Sequence, residues 1–142
     1  MRPHVLLYDS DCGFCVWALA KVLAWDRRRR LRPLALQDPE SGSLLAALDE
    51  ESRMASWHVV APTGQVASAG RALAPLLRLL PAGRPLAPLF EHFPRVADRL
   101  YFAVADRRGA LGKLVPDGAR RRARGRIQRR GPLARTGMDT LA

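Results

Sequence analysis

The only two cysteines of the chain, Cys12 and Cys15, have two residues between them. A short apolar run precedes them and a long helical pattern follows, so both thiols fall on the first turn of a predicted helix. At such a turn the outer sulfur can ionise and attack a disulfide, and the inner sulfur can then displace the product. The spacing predicts a dithiol redox site with Cys12 as the attacking thiolate and Cys15 as the resolving thiol.

Two acidic and two aromatic side chains accompany the pair. A carboxylate close to the outer sulfur disfavours the thiolate, so Asp9 and Asp11 either set the redox balance or relay a proton to the inner sulfur. For Asp11, capping of the helix is an equally good interpretation and needs no catalysis; for Asp9 the functional interpretation is favoured. Tyr8 and Phe14 are candidate substrate contacts, with packing in the core as the alternative for Phe14.

The two cysteines have two other possible interpretations. A zinc site usually takes four ligands, and His4, His58 and His92 have no paired spacing that would complete one. An inert buried pair is disfavoured by Gly13 and the flanking acids, which are typical of an exposed turn. We therefore predict no metal and no bound cofactor, with an external electron donor to recycle the dithiol. His58 is predicted to be either a structural histidine with its hydrogen bonds satisfied or a histidine at the edge of the sheet, rather than a catalytic one.

The elements around the turn predict the fold class. The order is strand, helix, strand, helix, hairpin, helix, and the crossover rule makes the first two strands parallel. This order predicts an α/β, thioredoxin-like fold in which helices flank a mixed four-stranded sheet, a parallel pair plus an antiparallel hairpin, with extra C-terminal helices. The predicted strands are residues 4–8, 32–36, 57–61 and 66–69. The predicted helices are residues 13–25, 39–48 and 71–80, followed by two that begin at Pro85 and Pro94.

Length and charge divide the chain in two. Its 142 residues, 48% of them hydrophobic, suit one domain with a single core. Residues 1–105 carry a net charge of +3 and residues 106–142 a net charge of +8. We expect a redox domain over residues 1–108 and an Arg-rich, disordered tail over residues 109–142. We find no secretory signal, which predicts a cytoplasmic location, where a catalytic pair is favoured over a structural disulfide.

Seven arginines between residues 120 and 130 make the predicted tail strongly basic. Such a segment can contact nucleic acid or an anionic membrane through counterion release, and a solvated end is the alternative. Because no aromatic residue interleaves these arginines, base stacking is not expected. The tail supports a rival hypothesis, a redox-inactive thioredoxin-like binding module that docks on nucleic acid or anionic lipid.

Residues 9–15, Asp-Ser-Asp-Cys-Gly-Phe-Cys, resemble the Asp-x-x-Cys-x-x-Cys signature of the DCC family of predicted thiol–disulfide oxidoreductases. Tyr8 precedes the signature as the family pattern has it, and weaker likeness extends over residues 32–37, residues 59–66 and the helix of Tyr101. The resemblance implies a thioredoxin-like fold and protein-disulfide reductase activity with Cys12 and Cys15 as the redox pair. The substrate would be a disulfide-containing protein or a small-molecule thiol.

Overall fold

A mixed four-stranded sheet is at the centre of the computed structural model, which describes residues 2–139 and the side chains of residues 2–130. Its strands are β1 (His4–Tyr8), β2 (Leu31–Ala35), β3 (His58–Val60) and β4 (Val66–Ser68), in the order β2-β1-β3-β4. β1 pairs with β2 in parallel and with β3 antiparallel, and β3 and β4 form the hairpin. The predicted parallel pair, hairpin and thioredoxin-like α/β fold class are confirmed.

Helices surround this sheet. They are α1 (Gly13–Trp25), α2 (Pro39–Leu44), α3 (Glu50–Ala55), α4 (Leu73–Leu79), α5 (Ala87–His92), α6 (Pro94–Ala105), α7 (Arg108–Leu114) and α8 (Asp117–Asp139). The first helix has its predicted bounds, and Asp38 caps α2 by accepting the N–H of Glu40. The prediction that α2 reaches residue 48 is wrong, because the chain turns after Leu44. No helix within residues 2–139 is long and apolar enough to cross a bilayer.

The core lies on both faces of the sheet because side chains alternate along each strand. Leu6 and Val59 face a cluster that includes the buried residues of α1, whereas Leu7 and Val60 face a second cluster on the side of α2. Leu6 and Leu7 are both fully buried. The sheet therefore holds β1 rigidly, and the dithiol turn begins directly at its end.

The C-terminal region differs most from expectation. Disorder was predicted from residue 109, but residues 109–130 form α7 and most of α8, and both helices pack against α1. Ala123 and Ile127, four residues apart on α8, are buried in the same cluster as Leu6. These contacts stabilise a helix that composition alone predicts to be solvated. Residues 140–142 of the predicted tail lie outside the described residues.

A buried ion pair fixes α8 to the end of α1. Asp26 is fully buried, and its carboxylate accepts a bond from Arg130 Nη1 at 3.0 Å and the backbone N–H groups of Arg30 and Leu31. Arg130 Nη2 also donates to the backbone oxygens of Leu23 and Asp26, at the C-terminal end of α1. A buried carboxylate needs such partners, because leaving a charge unpaired in the interior is strongly unfavourable.

A close backbone contact positions α6. A Cβ added to Gly70 would lie 2.3 Å from the backbone nitrogen of Asp98, so only glycine lets α6 approach the turn before α4 this closely. The approach places Tyr101 against Trp57, with ring centroids 5.7 Å apart. The Tyr101 hydroxyl accepts the backbone N–H of Trp57 at 2.9 Å.

Candidate active site

Cys12 is the N-cap of α1. Its backbone is extended, and its Sγ accepts the N–H of Cys15 at 3.3 Å, while its carbonyl accepts the N–H of Val16 at 3.0 Å. The free N–H groups of a helix start point at this position and favour negative charge there. The sequence folds this way because β1 ends at Tyr8 and the turn that follows leaves Cys12 at the first helical N–H groups. Cys12 and Cys15 are therefore one helical turn apart, with Cys12 at the helix start.

The two thiols differ in their environment. Both cysteines are free and half-buried. Burial raises the pKa of Cys15 to about 12, and the hydrogen bond with Cys12 and the charge of Cys12 act in the same direction. The positive charge of Arg108 opposes this rise, and the negative charge of Asp9 adds to it. Cys15 is therefore a protonated thiol at neutral pH, as a resolving cysteine should be before it is needed.

The aspartates form a hydrogen-bonded group around Gln37, which follows β2. Gln37 Nε2 donates to Asp9 Oδ1 at 2.7 Å and to Asp11 Oδ2 at 3.3 Å, and its Oε1 accepts from the Ser10 hydroxyl at 2.8 Å. The backbone N–H of Asp11 also donates to Asp9 Oδ1, at 3.0 Å. Because Cys12 is the helix cap, the capping interpretation of Asp11 is wrong. Its carboxylate instead bonds Gln37 beside the dithiol.

Each sulfur lines a different cavity. The Cys12 cavity, about 370 Å³, is lined by Asp9, Asp11, Cys12, Gly13, Arg108, Gly109, Gly112, Lys113 and Arg120. The Cys15 cavity, about 380 Å³, is mostly apolar and is lined by Leu6, Tyr8, Asp9, Phe14, Cys15, Ala18, Leu19, Leu36, Met54, Ser56, Trp57, Leu73, Phe90, Leu100, Tyr101, Val104, Ala105 and Arg108. The two cavities share Asp9 and Arg108. Most of the other side chains are charged in the Cys12 cavity and apolar in the Cys15 cavity.

The aromatic candidates both belong to the Cys15 cavity. Tyr8 and Phe14 are half-buried, and the Phe14 ring lies 6.0 Å from the ring of Trp17. Burial raises the pKa of the Tyr8 hydroxyl. Both side chains pack against the protein while still lining the cavity, and their contact with substrate stays a prediction.

A family model described as DCC1-like thiol-disulfide oxidoreductase matches residues 6–114. The chain belongs to this family. The match covers the sheet, the dithiol turn and α1 to α7, and it confirms the resemblance drawn from residues 9–15. Comparisons with curated proteins and with solved structures gave no match. The DCC1-like match ends before α8, so the helix that packs on α1 lies outside the family model.

The histidines and possible metal ligands can be placed directly. His58 is 1% exposed, and its ring bonds the Ser68 hydroxyl at 2.6 Å and the backbone oxygen of Arg53 at 2.9 Å. Burial lowers its pKa, and the prediction of a satisfied structural histidine is confirmed. Within the described part of this DCC1-like protein, no three His, Cys, Asp or Glu side chains form a group that could hold a metal ion.

Several residues near the dithiol were missed by the sequence analysis. Gln37 had a usable signal, since it lies two residues after the end of β2, and parallel neighbouring strands bring their carboxyl ends to the same sheet edge. Trp57 and Tyr101 meet through the docking of α6, which no local pattern predicts. Arg108 and Arg120 reach the dithiol only because α7 and α8 pack on α1. Arg108 is the last residue of the predicted redox domain, and Arg120 belonged to the segment that composition predicted to be disordered.

Proposed function

We propose that this protein is a thiol–disulfide oxidoreductase of the protein-disulfide reductase type, using Cys12 and Cys15 as its dithiol. The observation that carries the proposal is the bond from the Cys15 N–H to Cys12 Sγ at the start of α1. It presents one sulfur at the helix terminus with its partner one turn inward. The raised pKa of Cys15 supports the division of roles, because only the outer sulfur is then free to attack first.

The reaction proceeds in two exchange steps. The Cys12 thiolate attacks one sulfur of the substrate disulfide, whose S–S bond breaks; the departing thiolate takes a proton from water, leaving a mixed disulfide on Cys12. Cys15 then loses its proton to water and attacks Cys12 Sγ. The second substrate thiolate departs and is protonated, and the enzyme holds a Cys12–Cys15 disulfide. Two electrons have passed to the substrate, and an external dithiol donor returns them.

Asp9 and Asp11 act on this cycle through charge. The Asp9 carboxylate lines both cavities and its charge raises the pKa of Cys15, which keeps the resolving thiol protonated until the mixed disulfide forms. Asp11 shares Gln37 with Asp9 and holds that carboxylate in place through its backbone N–H. This arrangement favours the redox-balance interpretation of the two aspartates over a proton relay.

The substrate disulfide reaches Cys12 with its apolar flank towards the Cys15 cavity, where Tyr8 and Phe14 contact it. Support for a protein substrate comes from α6, whose apolar side chains remain exposed next to that cavity; Leu100 is 52% and Val104 46% exposed. A disulfide-containing protein that is partly unfolded carries the apolar surface that such a face binds. A small-molecule disulfide needs the Cys12 cavity alone.

The decisive experiment traps the mixed disulfide. In a Cys15→Ser variant the first step still occurs but the second does not, so incubation with a disulfide substrate should accumulate a covalent adduct on Cys12, detected by intact mass. A Cys12→Ser variant, which keeps one thiol in the same turn, is the matched control and should form no adduct. Equal adduct formation in the two variants, or none in either, would reject the proposed mechanism.

A specific observation also favours docking on nucleic acid. A groove between α1 and α8 is lined by basic side chains and Trp17, with no acidic residue among the residues that line it; the cations are Lys21, Arg121, Arg122, Arg126 and Arg129. Trp17 supplies the aromatic surface that the basic segment itself lacks, so stacking of a base becomes feasible here. The groove accommodates a phosphate backbone through counterion release.

Titration with a fluorescent single-stranded oligonucleotide tests this second candidate. Affinity should fall steeply with salt and should weaken in Arg122→Gln and Trp17→Ala, while Arg95→Gln, on α6 away from the groove, is the control. Weakening by the arginine substitution but not by Trp17→Ala, with equal binding to anionic vesicles, would favour a membrane surface instead. The same protein can be assayed for disulfide exchange, which separates docking from the redox-inactive hypothesis.

A further inference from the structure

The Cys12 cavity contains three positively charged side chains without ionic partners. Arg108 and Lys113 come from α7 and Arg120 from α8. None of the three forms a salt bridge with a carboxylate within residues 2–130. The two carboxylates that line the same cavity, Asp9 and Asp11, are hydrogen-bonded to Gln37. Three positive charges and two negative charges give the wall of the Cys12 cavity a net positive charge.

Arg120 is the best placed of the three. Its Nη2 donates to the backbone oxygen of Gly112, which anchors the guanidinium. The side chain lies over the dithiol turn, because a Cβ built on Gly13 would be 3.2 Å from Arg120 Nε. That Nε is buried and has no hydrogen-bond partner among the described residues. Because Nε is closed to solvent, the group that remains available to a ligand is Nη1, which donates to no acceptor among the described residues.

We propose that the Cys12 cavity is an anion subsite, in which Arg120 binds a carboxylate carried by the substrate close to its reacting sulfur. This inference deepens the proposed function, on which it rests, by naming the substrate class: disulfides and thiols with an acidic group beside the sulfur. A guanidinium with a free N–H suits a carboxylate oxygen, and the unpaired charge of Lys113 adds attraction at the rim. The carboxylate comes either from a small acidic thiol or from an acidic residue next to a cystine.

The subsite can be measured without disulfide exchange. Iodoacetate and iodoacetamide react with the same Cys12 thiolate and have nearly the same size, but only iodoacetate carries a negative charge. The ratio of their rates therefore reports attraction at the cavity and cancels any change in the pKa of the thiol. We expect the ratio for Cys12 to exceed that of N-acetylcysteine measured alongside and to fall as salt is added.

Arg120→Gln should lower this ratio by roughly threefold to tenfold, the order expected for one charge a few ångströms away in a partly solvated site. Arg95→Gln removes the same charge from an exposed position on α6 that lines neither cavity, and should leave the ratio unchanged. Lys113→Gln, at an exposed position whose loss does not threaten folding, should lower the ratio by a smaller factor. Equal ratios in the wild type and Arg120→Gln, or equal losses in Arg120→Gln and Arg95→Gln, would overturn the proposal.

Small disulfides then identify the substrate class. The dianionic 3,3′-dithiodipropionate should exchange faster than neutral 2-hydroxyethyl disulfide, and cationic cystamine should be slowest, with the order flattened by Arg120→Gln. Cystine peptides that differ only in an Asp or Asn beside the sulfur test the protein source of the carboxylate. No exchange with any disulfide, together with a charge-dependent alkylation ratio, would reject the proposed function and keep the subsite. Exchange at equal rates with all of them would reject the subsite and keep the function.

Discussion

The two cavities beside the dithiol have similar volumes and opposite chemistry. The Cys12 cavity is lined by charged side chains and by the backbone of α7, whereas the Cys15 cavity lies between the sheet, α1 and α6 and is walled by aliphatic and aromatic groups. An apolar environment favours the neutral form of a thiol, and a polar one tolerates the thiolate. The difference shows how one turn of helix can place two identical residues in different environments, the inner of which keeps Cys15 protonated at neutral pH.

The largest expected effect is the contrast in reactivity between the two sulfurs. With the pKa of Cys15 at about 12 against an ordinary value of 9.0, its thiolate fraction at neutral pH is on the order of a thousandfold below that of an ordinary thiol. Because the thiolate is the reactive form, iodoacetamide at pH 7–8 should first modify Cys12 alone, and Cys15 should gain reactivity only as the pH rises towards its pKa. Peptide mapping of the singly modified protein measures this. Comparable labelling of Cys12 and Cys15 would show that the two thiols do not differ in reactivity.

The Cys12 cavity includes Arg120 of α8, so it depends on the position of that helix. The ion pair between Arg130 and Asp26 holds α8 against α1. Arg130→Ala leaves the Asp26 carboxylate buried without its ionic partner, which should lower the free energy of unfolding by about 3 kcal/mol. Arg129→Ala removes an exposed arginine from the same helix and should change stability little. Urea unfolding measures both variants. Similar midpoints for the two would mean that α8 is not held by this pair.

In the Cys15 cavity, the hydroxyl of Tyr101 joins α6 to the backbone of Trp57 and so contributes to stability. Tyr101→Phe removes the acceptor of the Trp57 backbone N–H and should cost about 1 kcal/mol of unfolding free energy. Val96→Ala, at an exposed position on the same helix, is the control. Alkylation of Cys12 should be unaffected in both variants, because Tyr101 lines only the Cys15 cavity. A change in Cys12 reactivity would show that the two sides are coupled through α6.

The smallest expected effect concerns Asp9, which both cavities share. Its charge is the last of the causes that raise the pKa of Cys15, so Asp9→Asn should lower that pKa slightly. At a given pH below the pKa, more Cys15 is then ionised, and release of a thiol from a preformed mixed disulfide on Cys12 should be roughly twofold to threefold faster. Asp11→Asn is the matched control and should change the rate less. Slower release of the thiol in Asp9→Asn would support the proton-relay interpretation instead.

Local patterns predicted the dithiol turn well. A short apolar run identified β1, and the apolar run after Gly13 gave α1 its observed bounds, because both elements are determined by their own residues. The short helix α3 was missed, since its six residues, Glu-Glu-Ser-Arg-Met-Ala, bury no side chain and carry no apolar periodicity. The positions of Cys12 and Cys15 on the first turn of α1 could therefore be predicted from the neighbouring residues.

The residues around the two sulfurs could not be predicted from composition, because tertiary contacts bring them together. The segment around Arg120 is rich in arginine, and only Ala123 and Ile127 indicate a buried face. A second signal was present in α1, whose sole charge is Lys21 and which therefore needs cover on more than one side. Combining the two would have predicted that α8 packs on α1. No pattern predicts the pairing of Asp26 with a residue more than a hundred positions later.

The position of α8 in the core has a consequence for biosynthesis. The cluster begun by Leu6 is completed by Ala123 and Ile127, so its first and last members are separated by most of the polypeptide. A nascent chain on the ribosome must carry α1 with one side uncovered while the intervening residues are translated. Folding is thus finished after synthesis has passed residue 130, and until then the uncovered side of α1 offers a binding site for chaperones.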